Sequence, residues 1–259
     1  MLLERDDIDP NQPNKPYWPP LVWSAFNGDV EVVRMLLRRG DINPGKPGVD
    51  DRTPLWWATV HGHVEVVNAL LGRGSADPDK PDTYGQTPLW CAAVKGHIEV
   101  VRILLEQDDV KPDKPGRDDW TLLSWSASNG DVEVVRMLLG RSDVNPDKPG
   151  KDDRTPLSWA AVNGHVEVVK ILLEQDDVDP EKPGKDDRTP LWWAAFNGKV
   201  EVVKVLLGRD SVDPGRPDAH GLTPLIGAAF REHVEVVNIL LERTTLTGNL
   251  DERGEPPVR

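Results

Sequence analysis

Six threonines divide this chain into equal lengths. Thr53, Thr87, Thr121, Thr155, Thr189 and Thr223 each follow the last by 34 residues, and Pro19 stands one period before Thr53. A fixed period of this length means one supersecondary unit, copied, in which no single copy buries its own apolar surface. The unit reads clearly over 155–173, TPLSWAAVNGHVEVVKILL. Thr155 suits a helix cap, because its hydroxyl accepts from an unpaired N–H of the first turn. Pro156 fits the first helical position, where no N–H is needed. Leu157, Ala160 and Ala161 fall on one face. Gly164 takes positive φ without a Cβ penalty and ends the helix. A second helix then carries Val166, Val168, Val169, Ile171, Leu172 and Leu173. The expected class is all-α, a solenoid of helix–turn–helix units in one continuous stack.

Seven copies are expected over 19–243. Residues 1–18 read as the remnant of a preceding repeat, its second helix and loop, because MLLERDDIDPNQPNKPYWPPL aligns with ILLEQDDVDPEKPGKDDRTPL from Ile171. Residues 244–259 read as a polar C-terminal tail. Leu157, Glu167, Val168, Val169, Leu172 and Leu173 have the same residue in every copy. They mark the stacking core, with one acid placed for the helix dipole. The last copy departs, with Gly227 in place of tryptophan and Glu232 in place of glycine. After the double leucine, Gly-Arg and Glu-Gln pairs alternate, so the duplicated block was two repeats long.

The connectors are equally regular: DVDPEKPGKDDR at 177–188 recurs as DVNPDKPGKDDR at 143–154. They read as exposed hairpin-like loops with little true sheet. Pro-Gly at 149–150 and 183–184 suits the centre of a type II turn. The Lys-Pro pairs with flanking aspartates read as solvated turns.

Charge limits the partners. The net charge of -13 repels phosphate backbones and anionic lipid, so neither nucleic acid nor membrane is an expected partner. A single cysteine, Cys91, excludes an intramolecular disulfide and fits a reducing compartment. No signal-peptide pattern opens the chain, and a cytoplasmic monomer is expected.

The string TPLSWAAVNGHVEVVKILL closely resembles the ankyrin repeat, whose pattern runs T-P-L-H-x-A. The match covers nearly the whole chain. The tetratricopeptide repeat shares the 34-residue period, but its Trp-Leu-Gly-Tyr pattern is missing here. Two departures stand out: the proline-rich loop is one residue longer than the usual unit, and the usual histidine is Trp56, Trp90, Ser124, Ser158 or Trp192. The loops and the TPLSWAA form also look like ankyrin arrays of fungal NACHT-type (NLR-like) receptors. The resemblance implies an L-shaped stack, a concave inner face lined by the first helix of each unit, and protein binding.

No catalytic constellation stands out, and no cofactor or metal is expected. There is no Ser-His-Asp pairing and no phosphate loop. His61 and His63 are the only close histidine pair. His63, His97, His165 and His233 share a register with Asp29 and Asp131, which reads as a cap of the second helix. Cys91, replacing a tryptophan, reads as a small apolar filler.

The candidate partner-binding residues come from helical geometry. At about 100° per residue, Trp193 points away from the Leu191–Ala195 side. Its register holds Trp57, Trp125 and Trp159, and beside it lie Phe196, Lys95, Asn129, Asn163 and Asn197. The register of Trp90 and Trp192 varies between copies and reads as surface, and Trp120 stands out on a loop. Two readings of the tryptophans stay open: packing between copies, or anchors for a partner. The function expected is noncatalytic recognition of a protein or peptide through the groove and loop tips, at the sensor end of an immune-type receptor. The alternative is a structural scaffold that spaces attached domains.

Overall fold

A computed structural model describes residues 9, 11–12, 18–72, 74 and 76–248. Most of the segment read as a repeat remnant, and 249–259 of the segment read as a tail, lie outside the described residues. The chain divides into two compact units, Met1–Asp118 and Asp119–Arg259. The first holds α1 (Pro20–Asn27), α2 (Val30–Leu37), α3 (Pro54–Val60), α4 (Val64–Leu71), α5 (Pro88–Val94) and α6 (Ile98–Leu105). The second holds α7 (Leu122–Asn129), α8 (Val132–Leu139), α9 (Pro156–Asn163), α10 (Val166–Leu173), α11 (Pro190–Phe196), α12 (Val200–Leu207), α13 (Pro224–Phe230) and α14 (Val234–Gly248). Among the described residues there are seven helix pairs and no β-strand.

In each unit the odd helices pack on odd neighbours and the even helices on even ones. Two layers result, with the core between them. Leu55, Leu157 and Leu191 from odd helices and Leu70, Leu172 and Leu206 from even ones are all fully buried. Each such burial stabilises by about 1.5–3 kcal/mol. Helices this short are marginal alone, so the interlayer contact is what holds them.

The local signals act as expected. Each cap threonine accepts from the N–H three residues on: Thr53 from Trp56 at 3.1 Å, Thr155 from Ser158 at 3.2 Å, Thr189 from Trp192 at 3.1 Å. Such a cap is worth about 1 kcal/mol. Gly130 and Gly164 end their helices in the left-handed region, at φ 78 and 85. α14 runs on to Gly248, past Arg243, where the sequence period stops.

The histidine register is corrected. None of Asp29, His63, His97, Asp131 and His165 caps its own helix through its side chain. Each histidine reaches the preceding copy instead. Nε2 of His63, His97, His165 and His233 lies 3.0, 2.9, 2.9 and 3.2 Å from the carbonyls of Phe26, Val60, Ser128 and Phe196. A carbonyl can only accept, so Nε2 carries the proton. The ring also covers the helix-ending glycine: a Cβ on Gly130 would sit 2.5 Å from His165 Nδ1. That glycine is therefore required twice, by its φ and by its neighbour.

The type II turn at Pro-Gly is also corrected. Gly150 and Gly184 have φ −120 and −101. The chain reverses instead at Asp152-Asp153 and Asp186-Asp187, all four with φ between 54 and 63. Gly150 N–H donates to Arg154 O at 3.0 Å across the turn. Two consecutive positive φ values between Lys151 and Arg154, closed by Arg154 N–H to Lys151 O at 3.3 Å, make a type I′ turn, and aspartate tolerates that region.

Nor are the Lys-Pro residues simply solvated. Lys114 meets the Asp79 carboxylate at 3.3 Å, Lys182 donates to Asp147 O at 2.9 Å, and Arg216 to Glu181 O at 3.0 Å. Each ties its loop to the one before.

Candidate functional site

The odd helices turn one face to the core and present the opposite one. The first helix shows why. Leu21 and Ala25 are buried, while Trp23 keeps 37 % of its surface. Trp57, Trp125, Trp159 and Trp193 are half-buried in the same register.

In the first unit these rings gather into a cluster. Trp57 lies 4.8 Å from Trp18 and 5.2 Å from Phe26, both from the preceding copy. His61 stands 4.6 Å from Phe26 and bonds through Nδ1 to Trp57 O at 3.0 Å. In the second unit Trp120 covers Trp159 at 4.6 Å, so it belongs to the ladder rather than to a loop tip. Phe196 stacks on Trp192 at 4.9 Å. The indole N–H groups of Trp57, Trp159 and Trp193 are buried without a protein acceptor. These rings are held by their faces.

One register is not the surface it was read as. Trp90 and Trp192 are 6 % and 2 % exposed, and Ser124 and Ser158 are 0 % exposed. Trp192 Nε1 donates to Leu222 O at 3.0 Å, and Trp56 Nε1 to Gln86 O at 3.2 Å, each in the next copy's loop. Trp90 packs so closely on Gly116 that a Cβ there would lie 2.7 Å from its ring. Trp90 and Trp192 therefore close the gap between helix and loop, and neither is the exposed contact residue expected from the sequence. Periodicity within one helix cannot see a lid supplied thirty residues away.

Sequence reading also missed a set of arginines. Arg154 lies 4.6 Å over Trp159 and 3.9 Å over Trp193. Arg188 lies 4.0 Å over Trp192, and Arg52 4.3 Å over Trp56. Such contacts are worth about 0.5–2 kcal/mol. Arg52 and Arg188 also meet the buried carboxylates of Asp82 and Asp218, at 3.4 and 3.0 Å. Burial pushes the Asp218 carboxyl up, but the Leu222 N–H and Arg188 outweigh it and hold it below the usual value. Burial also lowers Arg154. The available signal was the residue before the cap position, where Trp18, Arg52, Trp120, Arg154 and Arg188 share one register with Gln86 and Leu222.

The polar neighbours differ in freedom. Lys95 and Asn129 are exposed. Asn163 is exposed but donates to Ser128 O and Oγ, both at 2.9 Å. Asn197 is half-buried and donates to Trp193 O at 2.9 Å. The face thus combines fixed aromatic rings, stacked cations and a few polar groups. Cys91, in the tryptophan register, is buried, and desolvation first, then Asp82, pushes its thiol up to about 12. Among the described residues no group of three histidine, cysteine or acidic side chains converges as a metal site.

A family model of ankyrin repeats (three copies) matches residues 1–82, 21–114, 74–149, 109–183 and 177–251. Among solved structures, the human ASB11 ankyrin repeat domain is similar, with TM-score 0.70 and 28% identity over 92% of this chain and 99% of that one. So is the ankyrin repeat domain of Bcl-3, a member of the IkappaB protein family. Its TM-score is 0.76 and its identity 25%, over 86% of this chain and 97% of that one. No curated protein sequence gives a significant match.

Proposed function

Because the chain belongs to the ankyrin-repeat family, we propose that it is a noncatalytic binding module whose odd-helix face and hairpin tips receive a protein or peptide partner. The observation that carries this reading is the half-exposed tryptophan register, in which Trp57, Trp159 and Trp193 are each set against an arginine or a second ring. Such rings are already ordered, so little entropy is lost on binding. Binding hot spots favour tryptophan and arginine in desolvated surroundings. Exposed Lys95 and Asn129 beside them supply specificity. The likeness of the 177–188 loop to NACHT-type receptor arrays supports a place at the sensing end of an immune-type receptor. The single buried thiol supports a reducing, cytoplasmic setting, and we take the working unit as a monomer.

Peptides selected on the chain from a random display library test this. Asn129→Arg adds bulk and charge to the face without breaking a core contact, and should weaken the selected peptides at least tenfold at unchanged melting temperature. Trp159→Ala should cost about 2 kcal/mol or more in binding. Peptides indifferent to both changes would move the site to the even helices and favour the scaffold reading.

A further inference from the structure

The last copy keeps a cradle for a tryptophan that it does not possess. In the second copy Trp57 sits against two residues of the copy before it, Trp18 at 4.8 Å and Phe26 at 5.2 Å. Five periods on, the same three positions are Gly227, Arg188 and Phe196. Arginine serves as well as tryptophan for the upper wall, since Arg154 covers Trp193 at 3.9 Å as Trp120 covers Trp159 at 4.6 Å. So both walls survive and only the indole is gone. What remains is a cleft of about 270 Å³ lined by Arg188, Trp192, Phe196, Leu222 and Gly227.

The floor is open. A Cβ on Gly227 would meet Phe196 Cδ2 at 3.6 Å and Trp192 Cζ2 at 3.7 Å, which is ordinary contact. The rim is apolar: Phe230 and Ile226 are 79 % and 46 % exposed. The volume lies at the lower end of the ~300–1,000 Å³ typical of ligand pockets, room for one large side chain. The chain itself names that side chain, because Trp57, Trp159 and Trp193 hold the equivalent position in other copies.

We propose that this cleft receives one tryptophan side chain of a polypeptide partner, which completes the ladder in place of the missing ring. The proposal rests on the odd-helix face being a polypeptide-binding surface, and adds where the partner's anchor lies and what it is. The Arg188 guanidinium would cover the incoming ring as Arg154 covers Trp193.

N-acetyl-L-tryptophanamide, titrated into the full chain and followed by backbone amide NMR, tests it directly. Saturable shifts at Trp192, Phe196, Gly227 and Phe230 are expected, with none from N-acetyl-L-alaninamide. Gly227→Trp should fill the cleft from within and weaken the probe at least tenfold. Gly227→Leu, a smaller filler, serves if the tryptophan variant does not fold. Absence of saturation, equal binding of the alanine probe, or full affinity in both filled variants would overturn the proposal. Display-selected peptides separate the two readings. Peptides blocked by Asn129→Arg yet unaffected by Gly227→Leu would leave the binding face standing and remove the cleft from it. Failure to select any peptide would count against the face, and the tryptophanamide titration would still decide the cleft.

Discussion

Gly130→Ala isolates the contact that joins one repeat to the next. Two costs arise at this position. The first is local: φ is 78, and a Cβ in the left-handed region costs about 1–2 kcal/mol. The second comes from the following copy. The new methyl would lie 2.5 Å from His165 Nδ1 and 2.8 Å from Cε1, so the imidazole must turn away. That breaks its 2.9 Å bond to Ser128 O, worth about 0.5–1.5 kcal/mol. The sum is roughly 1.5–3.5 kcal/mol. Gly221→Ala is the internal control, because its φ is 77 and nothing lies within 4 Å. It should show only the local cost of about 1–2 kcal/mol. Urea unfolding followed by tryptophan fluorescence measures both. His165→Ala then closes a double-mutant cycle, since without the ring Gly130→Ala should fall to the cost of the control. If Gly130→Ala costs no more than Gly221→Ala, or costs the same with and without His165, the histidine is not what holds the glycine.

Other expectations follow from single sites. Glu232 occupies the same helix-ending register at φ 59 without being glycine, so Glu232→Gly should stabilise the chain by about 1 kcal/mol in the same assay. Leu157 is fully buried, and Leu157→Ala should cost about 2–5 kcal/mol. Ser158 is buried too and its hydroxyl accepts from that of Thr155 at 3.2 Å, so Ser158→Ala should cost about 1 kcal/mol while the backbone cap stays, and a neutral result would refute the worth of that hydroxyl contact. Burial is the main cause raising the Asp147 carboxyl above 3.8. The folded state therefore binds that proton more tightly, and the stability so gained is full below pH 3.8 and lost as pH rises through the folded value. Asp147→Asn should lose less stability than the native chain over that rise, as read from urea midpoints at successive pH values.

The helix signals whose cause lies within one turn were legible in the sequence alone. Thr155 caps, Pro156 starts and Gly164 ends a helix for reasons contained in a few neighbouring residues, and the 34-residue period then multiplies the unit. The buried leucine pairs followed from the same periodicity. Apart from the Pro-Gly turn, where the reversal falls instead at the Asp-Asp pair of the same loop, what failed were positions whose environment is supplied by another copy. His165 looks like a cap when read against Val166, but its partner is the Ser128 carbonyl, 37 residues back. Trp192 and Ser158 look exposed when read on their own helix, yet the neighbouring loops cover them. Arg154 looks like a loop residue until α9 and α11 bring Trp159 and Trp193 beneath it. Local hydrogen bonding and helix periodicity write themselves into adjacent residues, so they can be read from the chain. The lid over a register, the ring on a glycine and the cation over an indole depend on the distance and tilt between copies, and only the tertiary structure sets those.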